Sequence, residues 1–165
     1  MKYLIVALLM LGSTVCGAQT TVILVRHAEK IQDDSKDPGL TKEGTARSQE
    51  LLRVLENAEI DEIYTTPFNR TRLTVEPLAK RFDLEVQEYN PFDLPAIAEK
   101  VKLAGKKTLV FSGHSNTTPI LANLLLGYEK FKPLNEKDYD NLYIITLNQG
   151  NSSVIQIAYG VPSVF

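Results

Sequence analysis

The 165-residue chain predicts an α/β fold: a three-layer α/β/α sandwich around a mostly parallel central sheet, finished by a C-terminal antiparallel hairpin. Two short runs, Val22-Ile23-Leu24-Val25 and Leu109-Val110-Phe111, are apolar without polar alternation, the pattern of strands covered on both faces. Such runs alternate with longer segments of helical period, as in parallel α/β domains. The last two apolar runs flank Asn148-Gln149-Gly150-Asn151, a hairpin-type turn.

The chain opens on Met1-Lys2, then an apolar stretch over 3–11 and mostly small residues over 12–18. This layout predicts a secretory signal cleaved after Ala18, too short in its apolar part to span a bilayer. It implies export to a periplasmic or secreted location; a lipoprotein anchored through Cys16 is the rival. Residues 19–165 then form a single domain. Cys16 is the only cysteine, so that domain holds no disulfide, thiol nucleophile or cysteine metal site. A net charge of −2 with no basic run excludes nucleic acid as a partner.

Residues 21–26 read as a strand and 31–39 as a polar loop. Thr41 caps a helix running to about residue 57, striped by Leu51, Leu52, Val54 and Leu55. A strand at 60–65 turns at Thr66-Pro67 into a helix over 69–81. Residues 84–88 read as a third strand and 94–103 as a helix stopped by Gly105. A strand over 108–112 leads through Gly113-His114-Ser115-Asn116 into a helix ending near 126. Strands at 142–147 and 152–158 close the chain. Thr74 reads as a helix-face residue.

In parallel sheets ligands bind beyond the carboxyl ends of the strands. His27 follows the first strand, Arg70 the second, and His114 the 108–112 strand. Both histidines of the chain and two arginines therefore converge on one edge. Arginine offers a planar fork matching phosphate oxygens. Gly113 permits close backbone approach, and a helix starting near Asn116 aims free N–H groups at the same spot. In such a cage a neutral imidazole can attack phosphorus, while the second histidine stabilises the transferring group.

Arg26-His27-Ala28-Glu29 resembles the signature of the histidine phosphatase superfamily, the phosphoglycerate-mutase-like fold, with Ala28 where glycine is usual. Leu40-Thr41 with Gly44 is similar to its "L-T-x-x-G" helix start. Thr65-Thr66-Pro67 with Arg70 and Thr74 is similar to "S-S-P-x-x-R-x-x-x-T", and Gly113-His114-Ser115 matches its second histidine motif. The resemblance implies His27 as the phosphorylated nucleophile, completed by Arg26, Arg70 and His114, with Ser115, Asn116 and Glu29 as substrate-binding residues and no cofactor or metal. The acid that protonates the leaving oxygen in many members lies after the third strand. Here that stretch does not match the common pattern, and Glu88, Asp93 or no residue fills the role; Glu88 stands slightly ahead.

The function so implied is an exported, metal-independent phosphatase acting on phosphomonoesters or phosphohistidine, with a small phosphorylated substrate or a phosphoprotein as partner. A non-catalytic phospho-ligand binder of the same fold is the alternative, as is a phosphoglycerate-mutase-type phosphotransferase, for whose covering segments residues 19–165 leave little room. A serine hydrolase is excluded because no histidine follows Ser115. Two histidines flanked by arginines make a poor metal site.

Overall fold

A computed structural model describes residues 19–148 and 151–163. The leader read at 1–18, Cys16 included, and the turn residues Gln149 and Gly150 lie outside the described residues. Ten elements follow in order: β1 (Thr20–Arg26), α1 (Lys42–Leu55), β2 (Glu62–Thr65), α2 (Asn69–Phe82), β3 (Val86–Glu88), α3 (Leu94–Lys102), β4 (Thr108–Gly113), α4 (Thr117–Leu126), β5 (Asn141–Asn148) and β6 (Asn151–Ala158). They build one six-stranded sheet in the order β3-β2-β4-β1-β5-β6. The first four strands are parallel; β5 runs antiparallel to β1, and β6 antiparallel to β5. This is the expected three-layer fold with a C-terminal hairpin.

The period-two alternation of side chains divides the core. Val22, Leu24, Leu109, Phe111 and Tyr143 pack with α3 and α4 on one face. Ile23, Val25, Val110 and Ile63 pack with α1 and α2 on the other. β2 and β3 begin two residues later than their apolar patterns suggest. Ile60 and Leu84 still join the second core, but from the turns before the strands. Leu84 follows Asp83, whose left-handed backbone (φ 54°) ends α2, and its N–H bonds Ala79.

β1 and β4 are neighbours whose following helices leave to opposite faces. That divergence opens a crevice at their carboxyl ends, where Arg26 pairs in register with Gly113. The start of α1 is docked there as well. Thr41 donates its N–H to the Glu29 carbonyl at 2.9 Å and accepts the Gly44 N–H on its side chain at 3.1 Å. A methyl group at Gly44 would overlap the Glu29 backbone, so the helix reaches this position only with glycine.

Candidate active site

Two imidazoles meet at the carboxyl edge, their ring centroids 5.4 Å apart in an edge-on arrangement. His27 is 3% exposed and its backbone N–H donates to the Gly113 carbonyl at 2.9 Å. The next residue, Ala28, gives its N–H to Thr74 Oγ1 at 2.9 Å, and Thr74 Oγ1 donates to the Arg70 carbonyl. Thr74 therefore clamps the end of β1 to α2, a firmer role than a helix-face residue.

The His27 ring has a defined tautomer. Nδ1 lies 2.8 Å from the Ala28 carbonyl oxygen, which can only accept. Nδ1 thus carries the proton and Nε2 keeps its lone pair. Burial lowers the His27 pKa most; the Ala28 carbonyl opposes it, and Arg26, His114 and Arg70 lower it further, down to about 3. Burial also lowers His114, helped by Arg70 and Arg26 and opposed by Glu136, to about 4. Both rings are neutral at neutral pH.

His114 Nε2 sits 2.9 Å from Thr66 Oγ1, which is also 3.0 Å from Thr71 Oγ1. Thr71 directs its own proton to the carbonyls of Thr66 and Phe68. When Thr66 donates to Nε2, the Nδ1–H of His114 is left to donate to an anion. Phe68 stands between His114, edge-on at 5.3 Å, and the Arg70 guanidinium, 4.3 Å over its ring. Gly113 has no room for a side chain: a Cβ would lie 2.8 Å from Thr118 Oγ1 and 2.9 Å from the Tyr89 hydroxyl.

Arg26 is 1% exposed, its guanidinium 4.1 Å over the Tyr139 ring. Nη1 donates to the carbonyls of Asn135 and Asp138 at 2.8 and 2.9 Å. Nη2 pairs with Glu136 Oε2 at 3.1 Å, while Nε is buried with no partner among the described residues. The other oxygen of Glu136 accepts from Ser115 Oγ at 2.7 Å. Arg70 lies 3.9 Å from Asp37, whose carboxylate accepts the Asn69 N–H and so caps α2 in place of Phe68, which offers no side-chain cap.

The structure thus brings His27, His114, Arg26 and Arg70 to one crevice and sets the other expected residues elsewhere. Glu88 is exposed on the edge strand β3, separated from β1 by β2 and β4, where it lines a separate cavity of about 340 Å³ with Tyr64, Lys100 and Phe111. Asp93 caps α3 by accepting the Ala96 N–H. Glu29 is held by Arg47, whose Nε and Nη2 grip its carboxylate at 2.8–3.0 Å and whose remaining N–H groups bind the carbonyls of Tyr159 and Val161. Asn116 is exposed and accepts the Thr117 N–H as the cap of α4. The Thr118 N–H bonds the His114 carbonyl, so the start of α4 offers fewer free donors than its sequence suggests. Ser115 is at the crevice, but its hydroxyl is engaged by Glu136. Sequence reasoning missed Thr66, Phe68, Tyr139 and Glu136. The first two sit inside a motif already singled out; nothing local marks the last two.

The model of the histidine phosphatase superfamily (branch 1) matches residues 22–92, from the middle of β1 to the turn before α3. No curated protein matches the chain. Among solved structures, the protein histidine phosphatase SixA complexed with tungstate superposes with a TM-score of 0.68 at 18% identity, covering 84% of this chain and 96% of that one. Bacillus stearothermophilus YhfR gives 0.65 at 18% identity, covering 82% and 95%. Entamoeba histolytica phosphoserine phosphatase gives 0.61 at 17% identity, covering 86% and 97%.

Proposed function

We propose, from the premise that the chain belongs to the histidine phosphatase superfamily, that it is a phosphatase working through a phosphohistidine intermediate on His27. The observation carrying this reading is the Nδ1–H bond to the Ala28 carbonyl beside two arginines and a second imidazole. It leaves Nε2 neutral, buried and nucleophilic where an anion would be held.

In the first step Nε2 bonds to phosphorus, and the bond to the leaving atom breaks with its electron pair going to that atom. Arg70 and the Nδ1–H of His114 balance the charge on the phosphoryl oxygens, and Arg26 adds its field from the floor. Water then attacks phosphorus, the P–N bond breaks, Nε2 regains its lone pair, and the water's proton passes to the released phosphate or to solvent. Neither imidazole has to reorient, because the Ala28 carbonyl holds the His27 ring and Thr66 the His114 ring. Glu88 and Asp93, which stand away from the crevice or cap a helix, take no part in this scheme. The missing acid favours leaving groups that need little protonation, phosphohistidine among them. It also sustains the second reading, a phospho-ligand binder without turnover.

Incubation with labelled phosphoester, followed by an alkaline quench, yields acid-labile phosphate on the protein. Label that survives in His27→Ala refutes the assignment. Binding of phosphate with no turnover of p-nitrophenyl phosphate or phosphohistidine favours the binder. The apolar stretch at 3–11 and the small residues up to Ala18 support export with removal of residues 1–18; N-terminal sequencing of the mature protein tests it.

A further inference from the structure

Glu136 holds a place that none of the sequence motifs accounts for. Its carboxylate is oriented at both oxygens, by Arg26 Nη2 at 3.1 Å and by Ser115 Oγ at 2.7 Å. The side chain is nevertheless 79% exposed, so it stays open to solvent beside Ser115 and Arg26. It also lies close enough to His114 to oppose part of the lowering of that ring's pKa. Both terminal nitrogens of Arg26 have partners on this side: Nη1 in two carbonyls of the same 135–138 turn, Nη2 in the carboxylate. On the far side Arg70 faces Asp37 at 3.9 Å. The crevice is therefore cationic at its floor and bears a carboxylate on each flank of its mouth. Asp37 also accepts the N–H at the start of α2 and is 40% exposed, against 79% for Glu136, so Glu136 is the carboxylate more open to an incoming group.

We propose that Glu136 is the specificity-determining residue of the pocket. It favours phosphoryl compounds whose leaving group carries a positive charge or an N–H donor, and disfavours those with a second anionic group beside the phosphorus. The assignment rests on the crevice being the phosphoryl site described above. A carboxylate in this position accepts from a protonated nitrogen and so holds the leaving group in the form that departs neutral. It repels a carboxylate or second phosphate at the same distance. A unit charge acting over several ångströms at a protein surface discriminates by about tenfold.

The test is calorimetric titration of the full chain with three phosphonates of similar size: 2-aminoethylphosphonate, propylphosphonate and 3-phosphonopropionate. Their C–P bonds are not cleaved, so binding is read apart from turnover. The wild type binds the amine about tenfold more tightly than the carboxylate, with the neutral compound between. In Glu136→Gln the span narrows to within about threefold, mainly because the carboxylate compound binds better; Glu136→Asp retains the order. An unchanged span in Glu136→Gln, or equal binding of amine and carboxylate by the wild type, overturns the proposal. Failure of all three to bind overturns it together with the phosphoryl reading of the site. A preserved preference in a protein that hydrolyses no phosphoester overturns the phosphatase reading alone.

Discussion

The floor and the mouth of the crevice are built from different forces. The floor is backbone: His27 N–H on Gly113, Arg26 in register with Gly113, Ala28 N–H on Thr74, all buried against two cores. The mouth is side chains from loops: Glu136 on Arg26 and Ser115, Asp37 on Arg70 and the start of α2. Sheet hydrogen bonds and packing are cooperative and cannot be exchanged singly. A carboxylate on an arginine can be traded for another anion at little cost when it is exposed. The floor is thus a preorganised site, and the mouth is where partners change.

Removing a charge-stabilising side chain set around the floor costs most. Arg70→Ala and His114→Ala each lower kcat by roughly 10²-fold or more, the scale of one preorganised charge-stabilising group. Steady-state kinetics with p-nitrophenyl phosphate, alongside circular dichroism to show retained folding, reads this. Loss of less than threefold for either would mean that the floor does not carry the chemistry.

Next is the fastening of the segment that follows the floor residues. Arg47 is buried and joins Glu29 to the carbonyls of Tyr159 and Val161. Arg47→Met removes four donors while Glu29 can turn partly to water, so unfolding becomes easier by about 2 kcal/mol, less than for a fully buried pair. Urea denaturation measures it.

The pH dependence sharpens the comparison. The proposed attack needs a neutral imidazole, and His114 and His27 are lowered to about 4 and about 3 in the folded protein. The kcat/KM therefore stays level from neutral pH down to about 4 and falls below it; an ordinary imidazole would put the fall near 6.5. The unfolded chain takes up protons on both rings near 6.5 while the folded one does not. Stability present above that pH is progressively lost as pH falls toward 3, seen as a declining Tm. A histidine double variant flattens that decline.

The smallest effect belongs to the mouth. Asp37→Ala removes the cap of α2 and costs about 1 kcal/mol by thermal denaturation, with inhibition by phosphate altered less than threefold. A larger loss of phosphate binding would move Asp37 from the rim into the floor.

These two regions were unequally legible. His27, Arg70 and His114 announce themselves because each follows a strand in a pattern of apolar runs and turn residues. Thr41 and Gly44 are legible for the same local reason, a cap and a close approach within one helical turn. Thr66 and Phe68 lie in a stretch already marked as functional, but their contacts to His114 depend on how β2 and β4 align. Glu88 and Glu29 looked available because sequence shows charge and not partner. One sits on an edge strand, and the other is taken by Arg47 from another element.

By itself the chain's sequence determined the order of strands and helices, the two-faced core, and the side chains delivered to the strand ends, because period, capping and glycine placement act within a few residues. Tertiary structure alone decided which carboxylates meet which arginines. Glu136 is 110 positions from Arg26, and Tyr159 is 112 from Arg47. The first follows from β5 pairing antiparallel to β1 and the second also from β6 pairing with β5, and no local rule fixes either register.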